Sequence, residues 1–207
     1  MTDTAVRLML AVAVVAMAAA LVGCGGSGDP DTDRVNRLQK QGNAAALEQE
    51  VEKADTRVAC LAVRALGRMG PQAQPQIEKA LKSQYAEVRQ EAALVYPRAV
   101  RGTAAPPLAS AARTDGEPNV RAAAVTALGH MAAVDEIETL LAAVEDPDPL
   151  VRRRASEAIA RIMGRIYDFS GTPQQRHEAA ALVRERWRIE AQPLREYHQK
   201  RLAPKSK

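Results

Sequence analysis

Aromatic side chains make up only 3% of the 207 positions, with one Trp, one Phe and four Tyr. A thick core built around large rings is therefore excluded. Two cysteines exclude a disulfide framework and a four-thiolate metal site. There are three histidines, His130, His177 and His198, and none pairs with another at metal-ligand spacing. The single His-Glu dipeptide, His177-Glu178, supplies too few ligands for a metal pair. No Gly-x-Gly-x-x-Gly or Walker-type loop occurs, and no serine sits in a Gly-x-Ser-x-Gly elbow. The sequence thus points to no catalytic residue, no metal and no cofactor. Long apolar runs are also missing. The longest charge-free stretch near the start, residues 8–23, falls short of the roughly 20 residues that span a bilayer.

What the chain has is alanine, at 41 positions, and a 26% share of charged residues spread along its length. Alanine is the best intrinsic helix former and lets helices approach closely. The expectation is an all-α protein with closely packed helices.

Residues 8–23 follow Arg7 and read as the apolar region of a signal peptide, residues 1–23. They end in Leu21-Val22-Gly23-Cys24, which resembles the bacterial lipobox. The resemblance implies that Cys24 is lipid-modified and becomes the first mature residue. Several acyl chains, each contributing about 0.8 kcal/mol per buried methylene, would hold the protein on the membrane. It also implies the periplasmic face of the outer membrane if the cell has two membranes, since Gly25 rather than Asp follows the cysteine. Residues 24–31, rich in Gly, Ser and Asp, read as a flexible tether. Cys60, among Val58, Leu61 and Val63, reads as a small side chain packed between helices.

The rest of the chain repeats. Four segments align without gaps, led by Val58, Val88, Val120 and Val151, at spacings close to 31 residues. The fifth position of each is alanine: Ala62, Ala92, Ala124 and Ala155. The eighth is Ala65, Val95, Ala127 and Ala158, and the ninth is Leu66, Tyr96, Leu128 and Ile159. Offsets of 0, 4, 7 and 8 share one face of an α-helix. The tenth position holds Gly67, Pro97, Gly129 or Ala160, and Gly or Pro there reads as a helix stop. An earlier helix precedes each segment, marked by Leu47/Val51, Ile77/Leu81, Leu108/Ala112 and Leu140/Val144. Between the two helices lie Asp55, Ser83-Gln84, Asp115 to Pro118 and Asp146 to Pro149. Each unit is a helix–turn–helix that buries its apolar face only by stacking on its neighbours, so the units predict a solenoid.

The strings Asp146, Asp148, Val151, Arg152 and Val120, Arg121, Ala127, Leu128, Gly129 resemble HEAT-like repeats of the phycobilisome-lyase type, over about residues 44–164. The first unit departs with Ala59 where the others have Arg89, Arg121 and Arg152, and the second with Ser83, Tyr85 and Pro97. The resemblance implies a right-handed α-solenoid of about four repeats, 44–70, 71–102, 103–133 and 134–164, within a domain at 32–192. Residues 32–41 and 172–191 read as capping helices, and 193–207 as a basic tail. It also implies that the second helices line the concave face.

Residues 173–207 carry nine Lys or Arg against four Asp or Glu. This arm could meet an anionic surface; the repeats themselves are close to neutral, which speaks against nucleic acid. The row Arg89, Arg121 and Arg152 reads as pairing with acids of an adjacent turn, such as Asp115 or Asp146, with ligand binding as the alternative. At exposed sites such pairs contribute about 0–1 kcal/mol each. The residues marked for partner binding are Arg64, Arg89, Gln90, Arg121, Arg152 and Arg153. The functional expectation is a non-catalytic scaffold for another protein of the cell envelope, anchored through Cys24. The alternative is an enzyme or enzyme accessory of the HEAT-like lyase type.

Overall fold

All four valine-led segments are helices in the computed structural model, which describes residues 28–100 and 102–203. Among the described residues there are ten α-helices, two short 3-10 turns and no strand. Helix α1 spans Pro30–Lys40. The first unit pairs α2, Ala44–Val51, with α3, Thr56–Met69. The second pairs α4, Gln74–Ala80, with α5, Ala86–Ala99, and the third α6, Pro106–Thr114, with α7, Pro118–His130. The fourth pairs α8, Ile137–Ala143, with α9, Pro149–Met163. Helix α10, Pro173–Leu202, closes the series.

The apolar face read from the four segments is the face that packs. All sixteen side chains at the first, fifth, eighth and ninth positions are buried. So are the paired residues of the earlier helices. Helices α3, α5, α7 and α9 pack on one another in chain order, and each also packs on its own first helix. The result is an α-solenoid with one continuous core from Val35 to Val183.

Gly67 and Gly129 do not stop their helices. Both lie inside α3 and α7, which run on to Met69 and His130. Their role is close approach. A Cβ at Gly67 would stand 2.6 Å from the Val95 Cβ, and one at Gly129 would stand 2.7 Å from the Ala158 Cβ and 2.9 Å from its Cα. Pro97 also lies within its helix, which ends at Ala99. The true stops come later: α3 and α9 end at Gly70 and Gly164 and α7 just before Ala132, where the backbone turns to positive φ, while α5 ends at the extended Val100, two residues before Gly102. These recur at nearly the repeat period. Ala132 takes the left-handed conformation without being glycine, which costs roughly 1–2 kcal/mol.

The two ends differ from the sequence expectation. Helix α1 begins inside the stretch read as a tether, because the Asp29 carboxylate accepts hydrogen bonds from the Asp31 N–H and the Thr32 hydroxyl, and Pro30 suits the first turn. The Thr32 and Arg57 hydrogen bonds hold the Asp29 carboxyl at about 2. At the other end, α10 runs through Pro193 to Leu202, so most of the predicted tail is helix. Proline removes one hydrogen bond, to the carbonyl four residues earlier, and the helix tolerates it beside the exposed Ile189. The far end is pinned by buried His198, whose Nε2 lies 2.9 Å from the Ile162 carbonyl and must be its donor. Contacts of His177 with Glu145, Arg184 with Glu138 and Arg195 with Asp135 run α10 antiparallel to α8. Cys24 and the signal-peptide reading lie outside the described residues. No described helix is long and apolar enough to cross a membrane.

Candidate functional site

The arginine row is a built feature of the loop edge. In the second unit, Arg89 Nε donates to Asp115 Oδ2 at 2.7 Å and Nη2 to Oδ1 at 2.9 Å. Its Nη1 holds the Ser83 and Gln84 carbonyls of its own preceding turn, at 2.9 and 3.2 Å. Arg121 repeats this geometry on Asp146, at 2.8 and 2.9 Å, and on the Asp115 and Gly116 carbonyls, at 2.9 and 3.2 Å. One guanidinium thus ties its own interhelical turn and grips the carboxylate of the next. Each carboxylate in turn accepts the backbone N–H two residues on, Glu117 or Asp148.

These are not exposed pairs. Arg89 and Arg121 keep 18% and 12% of their side-chain surface, and their aspartates 8% and 9%. As partner-binding candidates Arg89 and Arg121 are therefore largely spent: each makes four hydrogen bonds within the solenoid. Their worth also exceeds that of a surface pair, because bidentate charge-assisted bonds in partial burial are among the strong ones.

The ladder fixes the charge state of its acids. Arg89's hydrogen bonds hold the Asp115 carboxyl below the ordinary carboxylate range. For Asp146, burial works upward, but the Arg121 hydrogen bond with the Asp148 N–H and the nearby guanidinium charges carries it below that range too. A lowered folded-state pKa contributes stability that is complete above the unfolded value, near 3.9, and is lost as pH falls through the folded value. Stability, read as the urea midpoint, should therefore drop as pH falls from about 5 towards 2. Asp115→Asn with Asp146→Asn should flatten that drop. Equal slopes in the two proteins would remove the ladder as its source.

The second helices present the other candidate residues. Arg64 is 53% exposed and bridges to Glu91 of the next unit at 2.8 Å. Gln90 is half-buried and Arg153 is exposed. Leu94 stands 45% exposed at the same offset in its unit as Arg64, Thr126 and Glu157. Cys60 packs against the core, and burial followed by the charge of Glu91 pushes its thiol up, so it stays protonated. Among the described residues no group of three or more His, Cys, Asp or Glu could hold a metal ion.

Two features escaped the sequence reading. One is a row at the eleventh position of each segment, Arg68, Arg98, His130 and Arg161, all exposed in the last turns of α3, α5, α7 and α9. The arginines there complement the negative helix ends. Desolvation, then the charge of Arg161, lowers the His130 pKa. The row was visible in the alignment of the four segments, one position past the glycines. The other is a cleft of about 540 Å³ at the end of the ladder, lined by Arg152, Arg153 and Ser156 of α9 and by Ile166, Tyr167 and Phe169 of the following loop. No sequence signal marks it, because the loop that walls it repeats nothing.

The C-terminal arm is partly engaged. Arg184, Arg186 and Arg195 pair with Glu138, Glu190 and Asp135, and Arg195 also lies over the Trp187 ring at 5.6 Å.

Residues 105–196 match the family model described as HEAT repeats. That span covers the third and fourth units and most of α10. No curated protein matches the chain. Among solved structures, a designed armadillo repeat protein in complex with the peptide (KR)4 is similar at 18% identity, with a TM-score of 0.47 over 83% of this chain and 87% of that one. A second designed armadillo repeat protein gives the same values. An engineered protein is similar at 18% identity and a TM-score of 0.45, over 82% and 84% of the two chains.

Proposed function

We propose that this protein is a non-catalytic scaffold that binds another protein of a bacterial cell envelope and is held at the membrane by acyl chains on Cys24. One observation carries the binding half. Four stacked hairpins form an unbroken row of second helices whose outward side chains, Arg64, Leu94, Thr126 and Arg153, mix charge, polarity and one exposed apolar group. An extended surface of this kind suits a partner that lies along it. The lipobox-like Leu21-Val22-Gly23-Cys24 supports the anchoring half, with Gly25 favouring an outer membrane where there is one. The cations of α10 that have no partner among the described residues, such as Arg188 and Lys200, can add contact with anionic headgroups.

Capture from solubilised membranes on the acylated full chain tests the first half. The expected result is a partner enriched over a control lipoprotein that lacks the repeats; no enrichment would overturn it. Cys24→Ser tests the second. The variant should move from the membrane to the soluble or uncleaved precursor fraction, and an unchanged membrane-bound mature form would remove lipidation from the account.

A further inference from the structure

Arg152 occupies the same place in the fourth unit as Arg89 and Arg121 in theirs. Its Nη1 makes the same bonds to the preceding turn, to the Asp146 and Pro147 carbonyls, both at 2.8 Å. Its Nε and Nη2, which in the other two units grip an aspartate, have no partner among the described residues. The missing acid has a plain cause. After α9 the chain does not build another hairpin: residues 164–172 wander, and α10 follows as one long helix. The position 26 residues after Arg152 is Glu178, but it lies on α10 and bonds to Gln174.

The opposite end of the ladder shows what happens when a rung is dispensed with. The first unit has Ala59 in place of the arginine, and the second has Ser83 in place of the aspartate. Both halves of that rung are absent together. At the fourth unit only the acid is absent, and the half-buried arginine lines the cleft. The cleft's own acids do not fill it. Glu157 is held by Arg154 at 2.9 Å, and Asp168 accepts the Ser170 N–H and hydroxyl at 2.9 and 2.6 Å. Ile166, 90% exposed, stands at the cleft's edge.

We infer that the Arg152 fork and the adjoining cleft bind an aspartate or glutamate side chain of the partner protein, flanked there by an apolar residue that rests on Ile166. This rests on the scaffold reading and supplies the partner's chemistry. The ligand type is the one this chain already holds twice, in bidentate geometry, at Arg89 and Arg121. A second copy stacked in register is a poor occupant. Its first turn offers Lys53 where Asp115 and Asp146 stand, and its α1 covers that end.

The test uses the full chain with labelled arginine and a capped pentapeptide, Gly-Leu-Asp-Leu-Gly, beside its asparagine twin. The Nε–H signal of Arg152, assigned by its loss in Arg152→Lys, should shift with the aspartate peptide. That peptide should bind at least tenfold more tightly than the twin, and Arg152→Lys should lose at least tenfold while unfolding at the same temperature as the parent. Lysine can keep a bond to the turn carbonyls but has no fork. Equal binding of the two peptides, or an unmoved Arg152 signal, would overturn the inference. A partner captured from membranes and retained equally by Arg152→Lys would overturn it while leaving the scaffold standing. A responsive Arg152 with no captured partner would do the reverse.

Discussion

Gly129→Ala should destabilise the folded chain by about 1–3 kcal/mol, the usual cost of overpacking. The sign is the informative part. In an ordinary helix interior, glycine to alanine stabilises by about 1 kcal/mol through propensity. Here the added methyl would meet the Ala158 Cβ at 2.7 Å and its Cα at 2.9 Å. The Cα is backbone and has no rotamer to retreat into, so α7 and α9 must move apart. That separation would also loosen Val125, Leu128 and Ile159, all buried close by. Gly129→Val should cost more still. At Gly67 the obstacle is the Val95 side chain, whose Cβ would be 2.6 Å away. Val95→Ala leaves that Cβ in place, so it should rescue Gly67→Ala only in part. Chemical denaturation of the single variants decides the matter: a neutral or stabilising Gly129→Ala would mean that α7 and α9 do not touch there.

Arg121→Met should cost about 2–3 kcal/mol, near the low end for breaking a buried pair because Arg121 and Asp146 keep some solvent contact. The loss has two parts. The Asp115 and Gly116 carbonyls lose their donor, and Asp146 is left charged and 9% exposed without its hydrogen-bonded guanidinium. Adding Asp146→Asn removes the stranded charge, so the double variant should be more stable than Arg121→Met alone. Strictly additive costs would show that the two residues do not interact. Arg64→Ala provides the contrast. Its pair with Glu91 is 53% exposed on the arginine side and should be worth less than about 1 kcal/mol.

Much of the solenoid was legible in the sequence because a two-helix unit buries the same offsets every time. Val58, Val88, Val120 and Val151, with their alanines, could be read from spacing alone. The pairing of Arg89 with Asp115 and Arg121 with Asp146 was legible for the same reason: equal positions in successive units face each other. The glycines misled because one residue type serves two purposes. Gly67 and Gly129 stand at helix ends in the alignment, yet what they supply is room, a demand set by the next unit and invisible within their own. The extent of α10 was hidden by Pro193, since a single proline costs one bond and the buried His198 beyond it restores the incentive to stay helical. The cleft beside Arg152 was hidden because its far wall is irregular chain.

The rungs between arginine and aspartate also bear on how such a molecule can change in length. Arg89 and Arg121 each reach forward to the acid of the following unit. A tandem duplication of residues 121–151 would therefore bring one new fork and one new acceptor, with the terminal Arg152 still last. The lengthened protein would strand no ladder aspartate and would keep its end cleft, while its lateral surface grew by one hairpin. A duplication that took the fork without the acid would create an orphaned cation mid-stack. Growth by whole periods thus keeps the rungs matched, and growth by fractions does not.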